Sequence, residues 1–211
     1  MSSPAPQRPW DARLARTLVT PLKNTRVTPN HLTTVRLAVG LAGAVAFLPG
    51  SYFWSNVGAL LVILSNFLDH TDGELARISG KTSRIGHVYD LASDAAVTIL
   101  LFVAMGVGAA ASAKASLQFP PVMQGLVAGC AIALIFYLRM RIEDMAGKAA
   151  NRQASIGGFE TEDVLYLLPL VTLSGSIVPM LLAAAVCAPL FAFWVVIDYR
   201  RVLRRPSQVT R

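Results

Sequence analysis

The stretch from Asp69 to Asp94 reads DHTDGELARISGKTSRIGHVYDLASD and joins two long apolar runs. The chain has only twelve acidic residues, and four of them are aspartates in this stretch: Asp69, Asp72, Asp90 and Asp94. Carboxylates beside hydrocarbon are costly to bury, and within a membrane protein they mark a functional site by default. The four aspartates are therefore the first candidates for chemistry.

The spacing of the four aspartates places them in two rows if the chain is helical. Asp69 and Asp72 are three residues apart, whereas Gly86, Asp90 and Asp94 follow one another at intervals of four. Residues three or four apart lie on one face of an α-helix. In an antiparallel hairpin of two such helices, two carboxylates from each helix would point into a single space.

A cation is expected in that space, because four like charges held together would repel one another and some would take up protons. Carboxylate oxygens suit Mg²⁺ or Mn²⁺, and the stretch has no cysteine that would favour zinc. Gly73, Ala76 and Gly86 add little bulk to the two faces, which leaves space for a large ligand. Arg77 would add a fixed cation at the edge, suited to a phosphate oxygen.

Together these residues resemble the signature of the CDP-alcohol phosphotransferases, a family of integral membrane enzymes. The signature reads D-x2-D-G-x2-A-R, then eight residues, then G-x3-D-x3-D. All its fixed positions are filled here: Asp69, Asp72, Gly73, Ala76, Arg77, Gly86, Asp90 and Asp94. Many specified residues at fixed spacing make a specific pattern, although they cover a small part of the chain.

The resemblance implies a transferase that moves a phosphoalcohol unit from a CDP-alcohol to the hydroxyl of a second alcohol and releases CMP. It implies that the four aspartates hold Mg²⁺ or Mn²⁺, and that Asp94 completes a second metal site or acts as general base. It places cytidine and diphosphate on a set of residues: Asp69, Gly73, Ala76, Arg77 and Gly86. A homodimer is also expected from the family.

A second pattern, P-N-x-L-T-x-x-R from Pro29 to Arg36, is similar to the start of the first helix in family members. There this helix end faces the nucleotide, so Asn30 or Thr33 is expected at the nucleotide site. Helix capping and interhelical hydrogen bonding explain both residues equally well. Arg36 would lie about two turns inside an apolar helix, where a cation needs a partner or must extend its charge to the interface.

Composition indicates a membrane protein, because 54% of the 211 residues are hydrophobic and the mean hydropathy is +0.53. Several apolar runs have the length that spans a bilayer, and backbone groups in lipid must be satisfied internally, which favours helices. We predict an all-α integral membrane protein with six transmembrane helices, preceded by an amphipathic surface helix at 9–23. The predicted spans are 29–48, 52–78, 84–109, 120–141, 163–177 and 178–200.

The predicted organisation is one six-helix domain at 29–203, with a tail and surface helix at 1–28 and a basic tail at 204–211. Apart from Arg36, every Lys and Arg except Lys114 falls on, or at the edge of, the side that holds both termini. The positive-inside rule makes this side the cytoplasm, in a bacterial inner membrane. The four aspartates would then face the cytoplasm. Topology and anionic headgroups explain the net charge of +7, so no nucleic-acid partner is expected.

The identity of the acceptor depends on basic residues near the end of the fourth span. Arg139 and Arg141 could bind a phosphate on the acceptor, assisted by Lys148 and Arg152. That would favour phospholipid biosynthesis from CDP-diacylglycerol, with glycerol phosphate or inositol phosphate as acceptor. Positive-inside charge explains these residues equally well. In the reverse arrangement, CDP-choline or CDP-ethanolamine meets a lipid alcohol at the same four aspartates.

Other classes of membrane protein fit the stretch less well. Prenyltransferases of the membrane also bind Mg²⁺-diphosphate, but their acidic motifs resemble N-x3-D-x3-D and lack the G-x2-A-R element. A proton relay needs neither fixed glycines nor Arg77, and a transporter site is expected near the bilayer midplane. A non-catalytic scaffold is disfavoured by the complete signature.

Overall fold

The computed structural model describes residues 10–112, 119–146 and 165–204, and the regular elements of these ranges are helices. An N-terminal helix, α1 (Trp10–Val19), continues into a 3₁₀ turn at Thr20–Leu22. The remaining helices are α2 (Pro29–Phe47), α3 (Tyr52–Ser79), α4 (Arg84–Ser112), α5 (Pro121–Ala146), α6 (Leu168–Leu173) and α7 (Ile177–Arg204).

Helices α2 to α5 begin within one residue of the predicted positions, whereas two other elements are shorter than predicted. The surface helix is α-helical only to Val19. Within the described residues, the fifth predicted span contains α6, a helix of six residues. Pro169 lies at the start of α6, and Gly175 takes a left-handed φ of +67° just after its end, so the helix cannot extend through either position.

Three of the described helices are long and apolar enough to cross a membrane: Arg84–Ala111, Pro121–Ala146 and Ile177–Arg204. The most apolar window of each has a mean hydropathy of 2.0, 1.9 and 2.5, respectively. The all-α part of the prediction is thus confirmed for the described residues, together with helices typical of a membrane protein.

Local capping explains where the helices around the aspartates begin and end. Thr28 is the N-cap of α2, and its backbone N–H donates to His31 Nδ1 at 3.2 Å. Gly80 ends α3 with a left-handed φ of +68°, a conformation that glycine adopts without a steric penalty. The chain then starts α4 at Arg84. One short turn therefore connects the two helices that carry the aspartates.

Helix α2 lies against both α3 and α4, whereas α3 and α4 do not pack on each other in the described residues. Gly40 on α2 makes this arrangement possible. A Cβ at this position would lie 2.8 Å from Ser65 Oγ on α3 and 2.8 Å from Val97 Cγ1 on α4, both too close for a side chain. The predicted two-helix hairpin is therefore a three-helix arrangement, and the rows of aspartates face α2.

The other helices extend this arrangement outward. Helix α5 packs on α4, and α7 packs on α5. Helix α1 packs on α3, and Ala15 and Val19 of α1 are buried. The aspartates thus lie at one end of the helix assembly, where α2 begins, α3 ends and α4 begins.

Candidate metal and nucleotide site

The structure brings three of the four aspartates into one group. One carboxylate oxygen from each of Asp69, Asp72 and Asp90 lies within 4.8 Å of the other two. Asp72 is buried, whereas the side chains of Asp69 and Asp90 are partly open to solvent. Asp94 lies one turn further along α4, and its side chain is the most exposed of the four, at 41%.

A buried arginine of α2 lies among the four aspartates. Arg36 is 4% exposed, and its Nη1 contacts Asp69 Oδ1 at 2.5 Å and also bonds to Asp94 Oδ1. Its Nη2 lies 2.7 Å from Asp90 Oδ1, and its Nε lies 3.8 Å from Asp72 Oδ2. The sequence predicts that Arg36 needs a partner but does not by itself place this arginine among the aspartates. Its position at the end of the P-N-x-L-T-x-x-R pattern is the one local signal for such a role.

Thr33, one turn before Arg36 on α2, also contacts the aspartates. Its hydroxyl donates a hydrogen bond of 2.8 Å to Asp72 Oδ2, and both side chains are buried. The α2 backbone is held beside α3 by Ser65, whose hydroxyl donates to the Arg36 carbonyl at 3.0 Å. Thr33 was expected at the nucleotide, and here it holds a carboxylate in place.

Asn30 lies at the close approach between α2 and α4. A Cβ on Gly86 would lie 2.6 Å from Asn30 Oδ1 and 3.0 Å from Ser83 Oγ. One turn further on, the Thr34 and Tyr89 hydroxyls are hydrogen-bonded at 3.0 Å. Gly86 therefore lies against the Asn30 and Ser83 side chains, at the contact between α2 and α4.

The opposite holds for Gly73, which faces open space. A Cβ there would meet only Arg77 Nη2, at 3.8 Å. The Arg77 guanidinium is largely exposed and pairs with the buried Glu74, which also lies 3.9 Å from Arg16 on α1. Ala76 is partly buried beside it. The space beside Gly73 is therefore open and lies next to an exposed guanidinium.

The arginines expected to bind the acceptor have other contacts. The Arg139 guanidinium packs on α7, 5.2 Å from the Trp194 ring centroid and 5.8 Å from that of Phe191. Arg141 pairs with Asp144 on α5 at 3.9 Å. Neither contact brings these residues to the aspartates. Lys148 and Arg152 lie outside the described residues.

The donor set fits a hard divalent cation. The three grouped ligand atoms are all carboxylate oxygens, the type that Mg²⁺ and Mn²⁺ prefer. One guanidinium balances only one of the four carboxylate charges, so the remaining carboxylates favour the uptake of protons or of a cation. The partly exposed Asp69 and Asp90 give that cation a route from solvent.

A family model and two curated proteins match this chain. A family model described as CDP-alcohol phosphatidyltransferase matches residues 26–199. The chain is 29% identical over 143 residues to a bifunctional IPC transferase and DIPP synthase of Rubrobacter xylanophilus, which covers 68% of this chain and 30% of that protein. It is 39% identical over 69 residues to a phosphatidylinositol phosphate synthase of Streptomyces avermitilis, covering 32% and 27%. The chain thus matches less than a third of the length of either curated relative.

Two solved structures share the fold. The chain superposes on Mycobacterium tuberculosis phosphatidylinositol phosphate synthase with CDP-DAG bound, with a TM-score of 0.59 and 24% identity, covering 94% of this chain and 98% of that one. A structure of the same enzyme with manganese and citrate gives a TM-score of 0.57 and 23% identity, covering 95% and 92%.

Proposed function

The chain belongs to the CDP-alcohol phosphatidyltransferase family, and from this premise we propose that it transfers a phosphatidyl group from CDP-diacylglycerol to a phosphorylated polyol and releases CMP. The observation that carries the proposal is the convergence of four aspartates from α3 and α4 on one buried arginine of α2. The relatives that make phosphatidylinositol phosphate support the choice of substrates.

We assign the metal to Asp69, Asp72 and Asp90, with Asp94 at its edge. Bound Mg²⁺ or Mn²⁺ would offset the diphosphate charge and stabilise the departing CMP. Asp72 is positioned for this role by Thr33, which occupies one lone pair of Oδ2 and orients the carboxylate. The partly exposed Asp69 and Asp90 flank the open side of the group.

Asp94 is the candidate general base. It lies outside the group of three oxygens and is the most exposed of the four carboxylates, so an acceptor hydroxyl can reach it. A base within hydrogen-bond distance of the attacking hydroxyl takes up its proton as the new bond to phosphorus forms. Arg36 holds Asp94 Oδ1, which leaves Oδ2 for this proton.

The donor nucleotide is assigned to the surface of Gly73, Ala76 and Arg77, with Gly86 and Asn30 at its α4 side. The open space at Gly73 accommodates bulk, and the exposed Arg77 suits a phosphate oxygen. Arg139 and Arg141, with Lys148 and Arg152, stay a proposal as ligands of the acceptor phosphate. The contacts of Arg139 on α7 support a structural role at least as well.

We propose six membrane spans with the aspartates on the cytoplasmic side of a bacterial inner membrane, in a homodimer. The three apolar helices support the membrane assignment. Helix α1 fits a place at the membrane surface, because Ala15 and Val19 pack on the protein while Leu14 and Leu18 are exposed. Basic residues near the aspartates, such as Lys81 and Arg84, agree with a cytoplasmic face.

The test is CMP release by the purified protein with Mg²⁺ or Mn²⁺. CDP-diacylglycerol and CDP-choline are offered separately, each with glycerol phosphate, inositol phosphate, their unphosphorylated forms and diacylglycerol. We expect release only from CDP-diacylglycerol with a phosphorylated polyol, and none from the Asp72→Asn variant. Release from CDP-choline with diacylglycerol would reverse the substrate assignment, and CMP release by Asp72→Asn equal to wild type would overturn the metal site.

A further inference from the structure

Arg36 contacts more carboxylates than a single ion pair would involve. It is buried on α2 and faces all four aspartates, with Asp69 and Asp90 at 2.5 and 2.7 Å. Its Nε is buried and has no hydrogen-bond partner among the described residues, although Asp72 Oδ2 lies 3.8 Å away. Carboxylates therefore surround the guanidinium on several sides, but they do not accept hydrogen bonds from all of its N–H groups.

A divalent cation held by Asp69, Asp72 and Asp90 would lie within a few ångströms of this guanidinium. Two positive charges at such a distance repel each other, and the burial of the guanidinium reduces the solvent screening of this repulsion. Arg36 also reduces the negative charge that the carboxylates present to the metal. The Arg36 side chain is buried, and Ser65 holds the α2 backbone at this residue by donating to the Arg36 carbonyl.

We infer that Arg36 is a built-in counter-cation of the aspartate cluster that opposes divalent metal binding and so lowers the metal affinity of the protein without substrate. This inference rests on the metal site of the proposed function. Its consequence is that metal and donor bind together, because the diphosphate brings the negative charge that Arg36 cancels. Arg36 is thus a positioning residue, since it touches the carboxylates and not the reacting atoms.

The charge role and a purely structural role predict opposite signs. If Arg36 opposes the metal, Arg36→Gln binds Mn²⁺ more tightly, by about tenfold or more from the loss of one nearby unit charge. If Arg36 only orders the carboxylates, the same variant binds Mn²⁺ more weakly. Arg36→Lys keeps the charge and is expected to bind Mn²⁺ like wild type.

The experiment measures Mn²⁺ binding by electron paramagnetic resonance of the free ion, with purified protein in detergent and no nucleotide. Arg139→Gln is the matched control, because it removes another buried arginine that packs on aromatic rings of α7. We expect the control to leave Mn²⁺ affinity unchanged. Weaker binding by Arg36→Gln than by wild type would overturn the inference.

A second comparison tests the inference if Arg36→Gln fails to fold because its four carboxylates lack a counter-charge. The double variant Arg36→Gln/Asp94→Asn is compared with Asp94→Asn alone, so that both proteins have the same three carboxylates. The inference predicts tighter Mn²⁺ binding by the double variant, and equal or weaker binding would overturn it. If neither wild type nor the Arg36→Gln variants bind Mn²⁺, the metal site and the inference both fall, whereas absent CMP release with the expected order of affinities would contradict only the proposed reaction.

Discussion

The Thr33 hydroxyl on α2 donates a 2.8 Å hydrogen bond to Asp72 Oδ2 on α3. Thirty-nine residues separate the two in the chain, and both are buried. The bond fixes the one buried carboxylate of the group from the helix that also carries Arg36. A residue expected at the nucleotide therefore contacts a carboxylate of the proposed metal site.

Replacing Thr33 by Val should impair catalysis although the two side chains have almost the same size. The methyl group cannot donate, so Asp72 loses its orienting bond at a cost of about 1–3 kcal/mol. The expected result is a fall of about tenfold or more in kcat/KM for CMP release. Thr33→Ser keeps the hydroxyl and serves as the control. Equal losses in both variants would indicate a packing effect instead.

Alanine at Gly73 and at Gly40 should separate ligand space from helix packing. A Cβ at Gly73 enters open space, so Gly73→Ala should keep the wild-type Tm while raising KM for the CDP-alcohol. A Cβ at Gly40 meets Ser65 and Val97, so Gly40→Ala should lower stability by about 1–3 kcal/mol. Thermal melts in detergent and donor titrations measure the two effects. A normal donor KM in Gly73→Ala would remove this surface from the nucleotide site.

Asp94→Asn should abolish turnover while leaving a metal site. The variant keeps the grouped oxygens of Asp69, Asp72 and Asp90, so it should still bind Mn²⁺, more weakly than wild type. Loss of the base should lower kcat by about 10²–10⁴-fold even at saturating Mn²⁺. Recovery of kcat by added metal would instead make Asp94 a metal ligand.

The two arginines near the end of α5 should differ in what their loss affects. Arg139→Ala removes a buried cation from two aromatic rings and should lower stability by about 2 kcal/mol. Arg141 is paired only at 3.9 Å and is more exposed, so Arg141→Ala should keep the wild-type Tm. If Arg141 binds the acceptor phosphate, its loss should raise acceptor KM by about tenfold. An unchanged KM for the acceptor would indicate that Arg141 contributes only to the positive charge of the cytoplasmic side.

The metal and nucleotide candidates could be proposed from the sequence because their signals are local. Intervals of three and four place the aspartates on helix faces, whatever the rest of the chain does. Gly80 and the Thr28-Pro29 pair mark helix boundaries through backbone conformation, and the observed bounds of α2 and α3 follow them closely. The short α6 is the exception, because Pro169 and Gly175 restrict a segment whose apolar composition favoured a longer helix.

Periodicity within single helices was therefore enough to predict a helical protein with two rows of carboxylates. Only the tertiary structure decided that α2 lies against both rows, that Arg36 stands among the four aspartates and that Arg139 packs on α7. These contacts join residues 33 to 58 positions apart in the case of Arg36. They depend on which helices pack together, and the close packing here requires that Gly40 has no side chain. The spacing of residues around the aspartates does not encode this packing.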